Sequence, residues 1–393
     1  MQKVLLVASK TGYQVREFAS AAERLGVELV LATDRCHILD DPWGDRAVAV
    51  DFDEPEASLE ALAARGPFSG ILAVGDQPAT AAARVAPGLN LRFHPAGAAQ
   101  AAGNKLSTRT RFRDAGLLVP PYGIYPSVTR YPCVLKPLHL SASRGVIRAD
   151  TPAECVAAFE RVQTIAGDGS VLVEEFIPGR EFALDGVVTG GQLHGLALFD
   201  KPDPLDGPFF EETIYVTPSR EPESIQRQIR ETAGRAVVAL GFTDGPVHAE
   251  MRVNERGVWM LEVAARPIGG LCSRVLRFES MTFEELLLRH SLGEDVSGVR
   301  LAPGAHGVMM IPIPGAGVYR GVEGLDRARA VAGIEGLEIT AKVGQELLPL
   351  PEGSSYLGFL FSRGPSADNV ESALRQAHGC LRFEIASALS VLK

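Results

Sequence analysis

The chain has 393 residues, a net charge of −9, 46% hydrophobic residues and 22% charged residues. That length exceeds one ordinary core and suits two or three, and no basic stripe marks a nucleic-acid footprint. No apolar run approaches the roughly 20 residues of a spanning helix, so neither nucleic acid nor membrane is expected as a partner. The five cysteines (36, 133, 155, 272 and 380) are scattered, without CxxC spacing. That pattern fits a reducing, cytoplasmic setting and argues against a zinc site or a disulfide framework.

In chain order, residues 3–8 read as a buried first strand and not as a signal peptide. Residues 12–25 read as a helix with Val15, Phe18, Ala19, Ala22 and Leu25 on one face. Strands follow near 27–33, 46–51 and 70–75, and their alternation with helices implies a parallel, doubly covered sheet. This N-terminal α/β unit spans 1–95, and a helical connector at 96–118 carries Lys105 and Arg109.

A compact α+β unit covers 119–185. It has a strand at 131–136, a small-residue loop at 141–145 and a strand at 171–176. Its helix starts at Pro152 behind the capping box Thr151-Pro152-Ala153-Glu154. A third unit, 186–300, holds a helix at 222–240 and a hairpin at 247–263. The last stretch, 301–393, is rich in Gly and Pro and ends in a helix near 367–378.

The hairpin carries the sharpest physical signal. Alternation puts His248, Glu250 and Arg252 on one face, and Met260 and Glu262 on one face of the next strand. A three-residue loop Glu255-Arg256-Gly257 would pair 254 with 258 and set Glu250 opposite Glu262, with Cβ atoms about 5 Å apart. Like charges there are destabilising unless a cation lies between them, and Mg²⁺ takes hard oxygen ligands. The same pattern also suits two carboxylates on an exposed sheet face. Four residues on, Arg266 points to the same face, where a guanidinium can stabilise a transferring phosphoryl group. The glycines Gly269 and Gly270 then allow close backbone approach to a ligand, or simply form a turn.

Lys136 ends a strand beside the loop Ser141-Ala142-Ser143-Arg144-Gly145, an arrangement suited to phosphate. No GxxxxGK[ST] P-loop is present, and a solvated strand-end lysine would look the same. The run Val173-Glu174-Glu175-Phe176-Ile177 leads through Gly179-Arg180 to Glu181, a crossover whose backbone can pair with an adenine edge.

In this order, Asn104-Lys105, Leu135-Lys136-Pro137, Val173 to Glu181, His248-Ala249-Glu250 and Leu261-Glu262-Val263-Ala264-Ala265-Arg266 resemble the ATP-grasp superfamily over nearly the whole chain. The resemblance implies α/β and α+β architecture: an ATP-grasp fold with an N-terminal doubly covered parallel sheet, a lid subdomain (119–185), a central domain (186–300) and a C-terminal mixed-sheet extension. It implies ATP and one or two Mg²⁺ as cofactors. By position, Lys105 and Lys136 would contact phosphates, with Ser141, Ser143 and Gly145 in the loop above them. Glu175, Phe176 and Ile177 would read adenine with Glu174 alongside, and Glu181 the ribose. Glu250 and Glu262 would hold Mg²⁺. Arg266 would be catalytic, together with Lys201, expected in an ordered loop before Pro202 and Pro204.

One position departs from the family. Where an Asn usually follows the second metal carboxylate by two, this chain has Ala264, so Glu250 and Glu262 must supply most of the protein's ligands.

Gly75-Asp76-Gln77-Pro78-Ala79-Thr80, the Arg266–Gly270 run and the long tail look like the L-amino acid ligase branch. That branch implies a cytoplasmic homodimer joining a small carboxylic acid to an amine, both amino acids by family habit, with Glu212, Gly269, Gly270 and Arg274 near the substrates. A biotin carboxylase-like enzyme, a purine-pathway ligase and a non-catalytic ATP-binding module are the competing readings.

Overall fold

The computed structural model describes residues 1–9, 13–34, 46–127, 130–167 and 169–387. Cys36 and the first residue of the expected 12–25 helix lie outside them.

The strand Lys3–Ala8 sits inside a parallel sheet ordered Ala47–Ala49, Glu28–Thr33, Lys3–Ala8, Gly70–Val74. Its side chains alternate between two cores, as a period of two requires. Leu5 and Val7 pack with Ala79 and Ala82 of the helix Asp76–Val85. Val4 and Leu6 pack with Phe18 and Ala22 of the helix Tyr13–Leu25 and Leu286 of Phe283–Ser291. The sheet is therefore covered on both faces.

The helical connector expected over 96–118 is two helices, Ala96–Ala102 and Lys105–Asp114. Asn104 breaks it: its side chain accepts from Ser107 N at 3.0 Å as the cap of a new helix. The break makes Lys105 the first residue of that second helix.

A lid sheet follows, ordered Tyr122–Ile124, Val171–Glu175, Cys133–Pro137, Ile147–Ala149 and backed by the helix Pro152–Ala166. The largest sheet has eight strands. Its order is Gly257–Ala264, Gly245–Asn254, Arg180–Thr189, Gln192–Lys201, Ile214–Thr217, Ala305–Ile311, Gly358–Gly364, Ile334–Ile339. Three strands from beyond residue 300 thus complete the central sheet, and a separate three-stranded sheet lies outside it. Lys201 is the last residue of a sheet strand and not part of a loop. No helix among the described residues is long and apolar enough to cross a membrane.

The hairpin differs from its expected register. Asn254 pairs with Gly257 across a two-residue turn, and Met251 pairs with Met260. The ladder then slips by one residue, so that Glu250 pairs with Glu262 after all. The bulged residue is Leu261. A bulge re-aims the side chains on either side of it. Met260 is buried with Met251 in the core, while Glu262 lines the opposite, cavity face, so the two do not share a face as expected.

Candidate active site

A cavity of about 850 Å³ opens where the N-terminal sheet, the lid and the central sheet meet. Cross-strand rows on one sheet face form its floor. Arg252 stands beside Glu181, and Glu181 beside Lys201; one row on, Glu250 neighbours Ala183; in the next, His248 neighbours Asp185. The opposite face of the same strands, with Phe182, Leu184 and Met251, is core against the helix Glu223–Leu240.

Lys201 is buried and meets three carboxylates: Glu181 at 3.1 Å, Glu250 at 3.2 Å, and Glu212. Burial opposes its charge, but these carboxylates hold its pKa well above the usual lysine range. Burial raises the Glu212 carboxyl, with Lys201 pulling the other way. One ligand atom from each of Glu181, Glu212 and Glu250 lies within 4.8 Å of the others, a hard-oxygen set.

His248 is clasped from both sides, Nδ1 at 3.3 Å from Asp185 and Nε2 at 3.1 Å from Glu250. Burial disfavours the imidazolium, yet the two carboxylates outweigh it and raise the pKa to about 10. Asp185 also accepts from Ile268 N at 3.1 Å, which fixes the Pro267–Gly270 segment over the cavity. Glu250 is driven far below the usual carboxylate range: burial acts against this, but Lys201 and His248 prevail.

On the lid side, Lys136 Nζ lies 2.6 Å from Glu174. Arg109, wholly buried, donates twice to Glu174 and once to the carbonyl of the bulged Leu261. Burial would lift the Glu174 carboxyl, but Arg109 and Lys136 hold it down at about 2. The carboxylate of Glu174 is therefore shared between Arg109 and Lys136 at the cavity wall. Lys105 donates to Leu140 O at 2.5 Å and lines the same wall. Burial lowers its pKa, against the field of Glu262.

Ser141, Ala142 and Ser143 line the cavity, with Ala142 and Ser143 in left-handed conformation (φ 54° and 55°). Gly145 turns away instead. Its N–H donates to Pro351 O, and a Cβ there would meet Pro137 Cγ at 2.7 Å.

At the crossover, Glu175 N donates to Pro121 O and Phe176 N to Pro132 O. Neither proline has an N–H to give in return. The carbonyls of Glu175 and Phe176 thus lack the bonds that an ordinary residue opposite would supply. Arg252 donates to Ile177 O at 2.8 Å, and the Phe176 ring lies under the guanidinium groups of Arg148 and Arg252.

Arg266 donates to Asp76 at 2.7 Å, tying the end of the hairpin to the N-terminal sheet. Burial opposes charge on both, and each holds the other ionised. Gly269 and Gly270 line the cavity with Glu212. Arg274 does not join them. It pairs with Glu17 at 2.9 Å and Glu338 at 2.5 Å, so its expected place at the substrate is corrected to a structural clamp.

Residues 129–275 match the model of the ATP-grasp domain, and residues 309–386 that of the L-amino acid ligase C-terminal domain 2. The chain thus carries an ATP-grasp domain followed by an L-amino acid ligase C-terminal domain 2. An L-amino acid ligase from Bacillus licheniformis shares this ATP-grasp fold with TM-score 0.84 at 24% identity, over 98% of this chain and 99% of that one. A formate-dependent phosphoribosylglycinamide formyltransferase of Rhodococcus jostii is 27% identical over 95% of this chain and 94% of its own length. D-alanine–D-alanine ligase B of Pseudomonas syringae pv. tomato is 28% identical over 40% of this chain; the chain spans about half of it, 50%.

Within this ATP-grasp site, sequence reasoning missed Asp185 as the support of His248, Asp76 as the partner of Arg266, and Arg109 as the partner of Glu174. Only Asp185 carried a local signal: a carboxylate amid the apolar run 182–188 must find a partner.

Proposed function

We propose that this protein is an ATP-dependent carboxylate–amine ligase that forms an amide through an acyl phosphate. The observation that carries the reading is the convergence of Lys105, Lys136, Glu250, Glu262 and Arg266 on one cavity. ATP would place its base at Glu175–Ile177, where the carbonyls facing Pro121 and Pro132 can accept from an exocyclic amine. Its phosphates would lie along Lys105, Lys136 and the Ser141–Ser143 turn, and Glu181 would accept from the ribose.

The donor set fits Mg²⁺: Glu250 and Glu262 offer hard oxygens, and the carboxylates around Lys201 outnumber it. Bound there, Mg²⁺ would neutralise phosphate charge. A carboxylate oxygen of the acid then attacks the γ-phosphorus, the bond to the β-phosphate oxygen breaks, and ADP leaves. Arg266, held by Asp76, faces the charge on the transferring group. The amine nitrogen next attacks the acyl carbon, phosphate departs with the acyl oxygen, and the nitrogen loses a proton.

The substrates we infer are amino acids, with Glu212 accepting from an α-ammonium and Gly269–Gly270 lying against the backbone of the substrate. The likeness to the Rhodococcus formyltransferase favours a purine-type ligase as a second reading. A phosphoribosyl substrate would call for cations beside its phosphate, and the described lining residues from Met310 to Phe359 include none.

Carboxyl-¹⁸O-labelled amino acids incubated in pairs with ATP and Mg²⁺ test the proposal. ADP and phosphate carrying one labelled oxygen are expected. AMP and pyrophosphate would refute it.

A further inference from the structure

The Ser141–Gly145 loop is built from residues that resist its shape. Ala142 and Ser143 are both left-handed, with φ 54° and 55°. Residues with a side chain hold that conformation only where their surroundings impose it. Within the loop, Arg144 N donates to Ser141 O at 3.3 Å and Val146 N to Ser143 O at 3.1 Å. Two further bonds reach across to the C-terminal extension. Gly145 N donates to Pro351 O at 2.9 Å, and Arg144 Nε to Glu352 O at 3.0 Å.

Those two carbonyls belong to a stiff turn. In Pro349-Leu350-Pro351-Glu352-Gly353 the prolines fix two φ angles, and Gly353 N donates back to Pro349 O at 2.9 Å. The turn is so tight that a Cβ at Gly353 would lie 1.8 Å from Leu348 O. Beyond it, Ser354 and Ser355 continue as cavity wall.

Arg161, on the lid helix Pro152–Ala166, ties this turn to the lid. Its Nε and Nη2 donate to the two carboxylate oxygens of Glu352 at 2.6 and 3.0 Å, a two-pronged pair. The same guanidinium lies 5.1 Å from the centre of the Phe209 ring. Phe209 bridges to Ile147 of the lid sheet, and its neighbour Phe210 lines the cavity. One lid side chain thus touches both the central unit and the C-terminal extension. Arg161 and Glu352 are each close to half exposed. An exposed pair is weak and screened by salt, which suits a clasp that opens for each nucleotide.

We propose that Arg161 and Glu352 are positioning residues for the phosphate loop. Their pair holds the 349–353 turn against the lid, and that turn holds Arg144 and Gly145 in the form that presents Ser141–Ser143 to phosphate. This rests on the nucleotide site of the reading above.

The test is calorimetric titration of the full chain with ADP and Mg²⁺, beside hydrogen exchange at the Gly145 amide and a thermal melt. Glu352→Gln and Arg161→Gln should each weaken ADP binding about fivefold, the upper value for an exposed pair. The double variant should lose no more than either alone, because both remove one interaction. The Gly145 amide should exchange faster in each, with the melting temperature unchanged. Charge exchange supplies the rescue: Glu352→Arg alone should weaken ADP further, and Arg161→Glu added to it should restore affinity to within about twofold of wild type. Wild-type affinity in the single variants overturns the proposal and leaves the nucleotide site standing. So does a loss that follows a lowered melting temperature and is not restored by the exchange. Failure of the wild-type protein to bind ADP and Mg²⁺ removes the nucleotide site and the proposal with it.

Discussion

Glu262 faces Glu250 across the hairpin because Leu261 is bulged out of the ladder between them. Two distant groups hold the bulge: Leu118 O accepts from Met260 N at 3.0 Å, and Arg109 donates to Leu261 O. Without the extra residue, alternation from Met260 would turn Glu262 into the core.

The two carboxylates differ in what else they hold. Glu250 has Lys201 and His248 within 3.2 Å, whereas Glu262 stands in the fields of Lys105 and Arg266. Glu262→Gln should therefore cut turnover at least about a hundredfold, as loss of a metal ligand does, with little change in melting temperature. Glu250→Gln should lower both, because it leaves two buried cations with a weaker partner. Steady-state ADP release beside a thermal melt checks this. Near-normal turnover in Glu262→Gln at moderate Mg²⁺ would defeat the metal assignment.

Arg109→Met should destabilise the fold by about 3–5 kcal/mol, the cost of breaking a buried pair from one side. It should also raise the Mg²⁺ concentration needed for half-maximal ADP binding, since the Leu261 bulge loses its donor. Arg109→Lys should not restore either property, because an ammonium lacks the planar fork that reaches Glu174 and Leu261 together. Urea melts and calorimetric titration at varied Mg²⁺ decide it. An unchanged Mg²⁺ requirement would detach Arg109 from the aim of Glu262.

The parallel sheet, the lid and the Glu250–Glu262 pairing were legible in the chain because they rest on local alternation and helix caps. The turn was not. Gly257, at φ +124°, suggested a three-residue loop, while the observed turn is Glu255-Arg256. The bulge compensates at Glu250 but not at Met260, and its causes, Leu118 and Arg109, lie more than 140 residues away. Arg274 misled for the same reason. The family resemblance put it near the substrate, yet Glu17 and Glu338 claim it from remote segments. Charge pairing across sheets leaves no local pattern.

Lys136→Ala should weaken ATP·Mg²⁺ binding by roughly 1.5–3 kcal/mol, the value of a charge-assisted contact. The fold should survive, since Glu174 keeps both bonds from Arg109. Calorimetry reads the affinity directly. Unchanged binding would mean that Lys136 serves only Glu174 and not the phosphates.

Glu174 also gives the fold an acid limit. Its carboxyl is held at about 2 against the ordinary value of 4.5, burial being outweighed by Arg109 and Lys136. A depressed carboxylate binds its proton more readily unfolded than folded. Its stabilisation is therefore complete above pH 4.5 and disappears as pH falls towards 2. A displacement of that size is worth about 3 kcal/mol. Glu174→Gln cannot ionise, so the wild-type advantage over this variant should be pH-independent above the ordinary value. It should shrink by about 1 kcal/mol or more by pH 3. Urea melts of both proteins from pH 7 to pH 3 supply the comparison, and subtracting one from the other cancels the remaining carboxylates. A gap of constant size across that range would show that packing around Glu174, and not its charge, carries the stability.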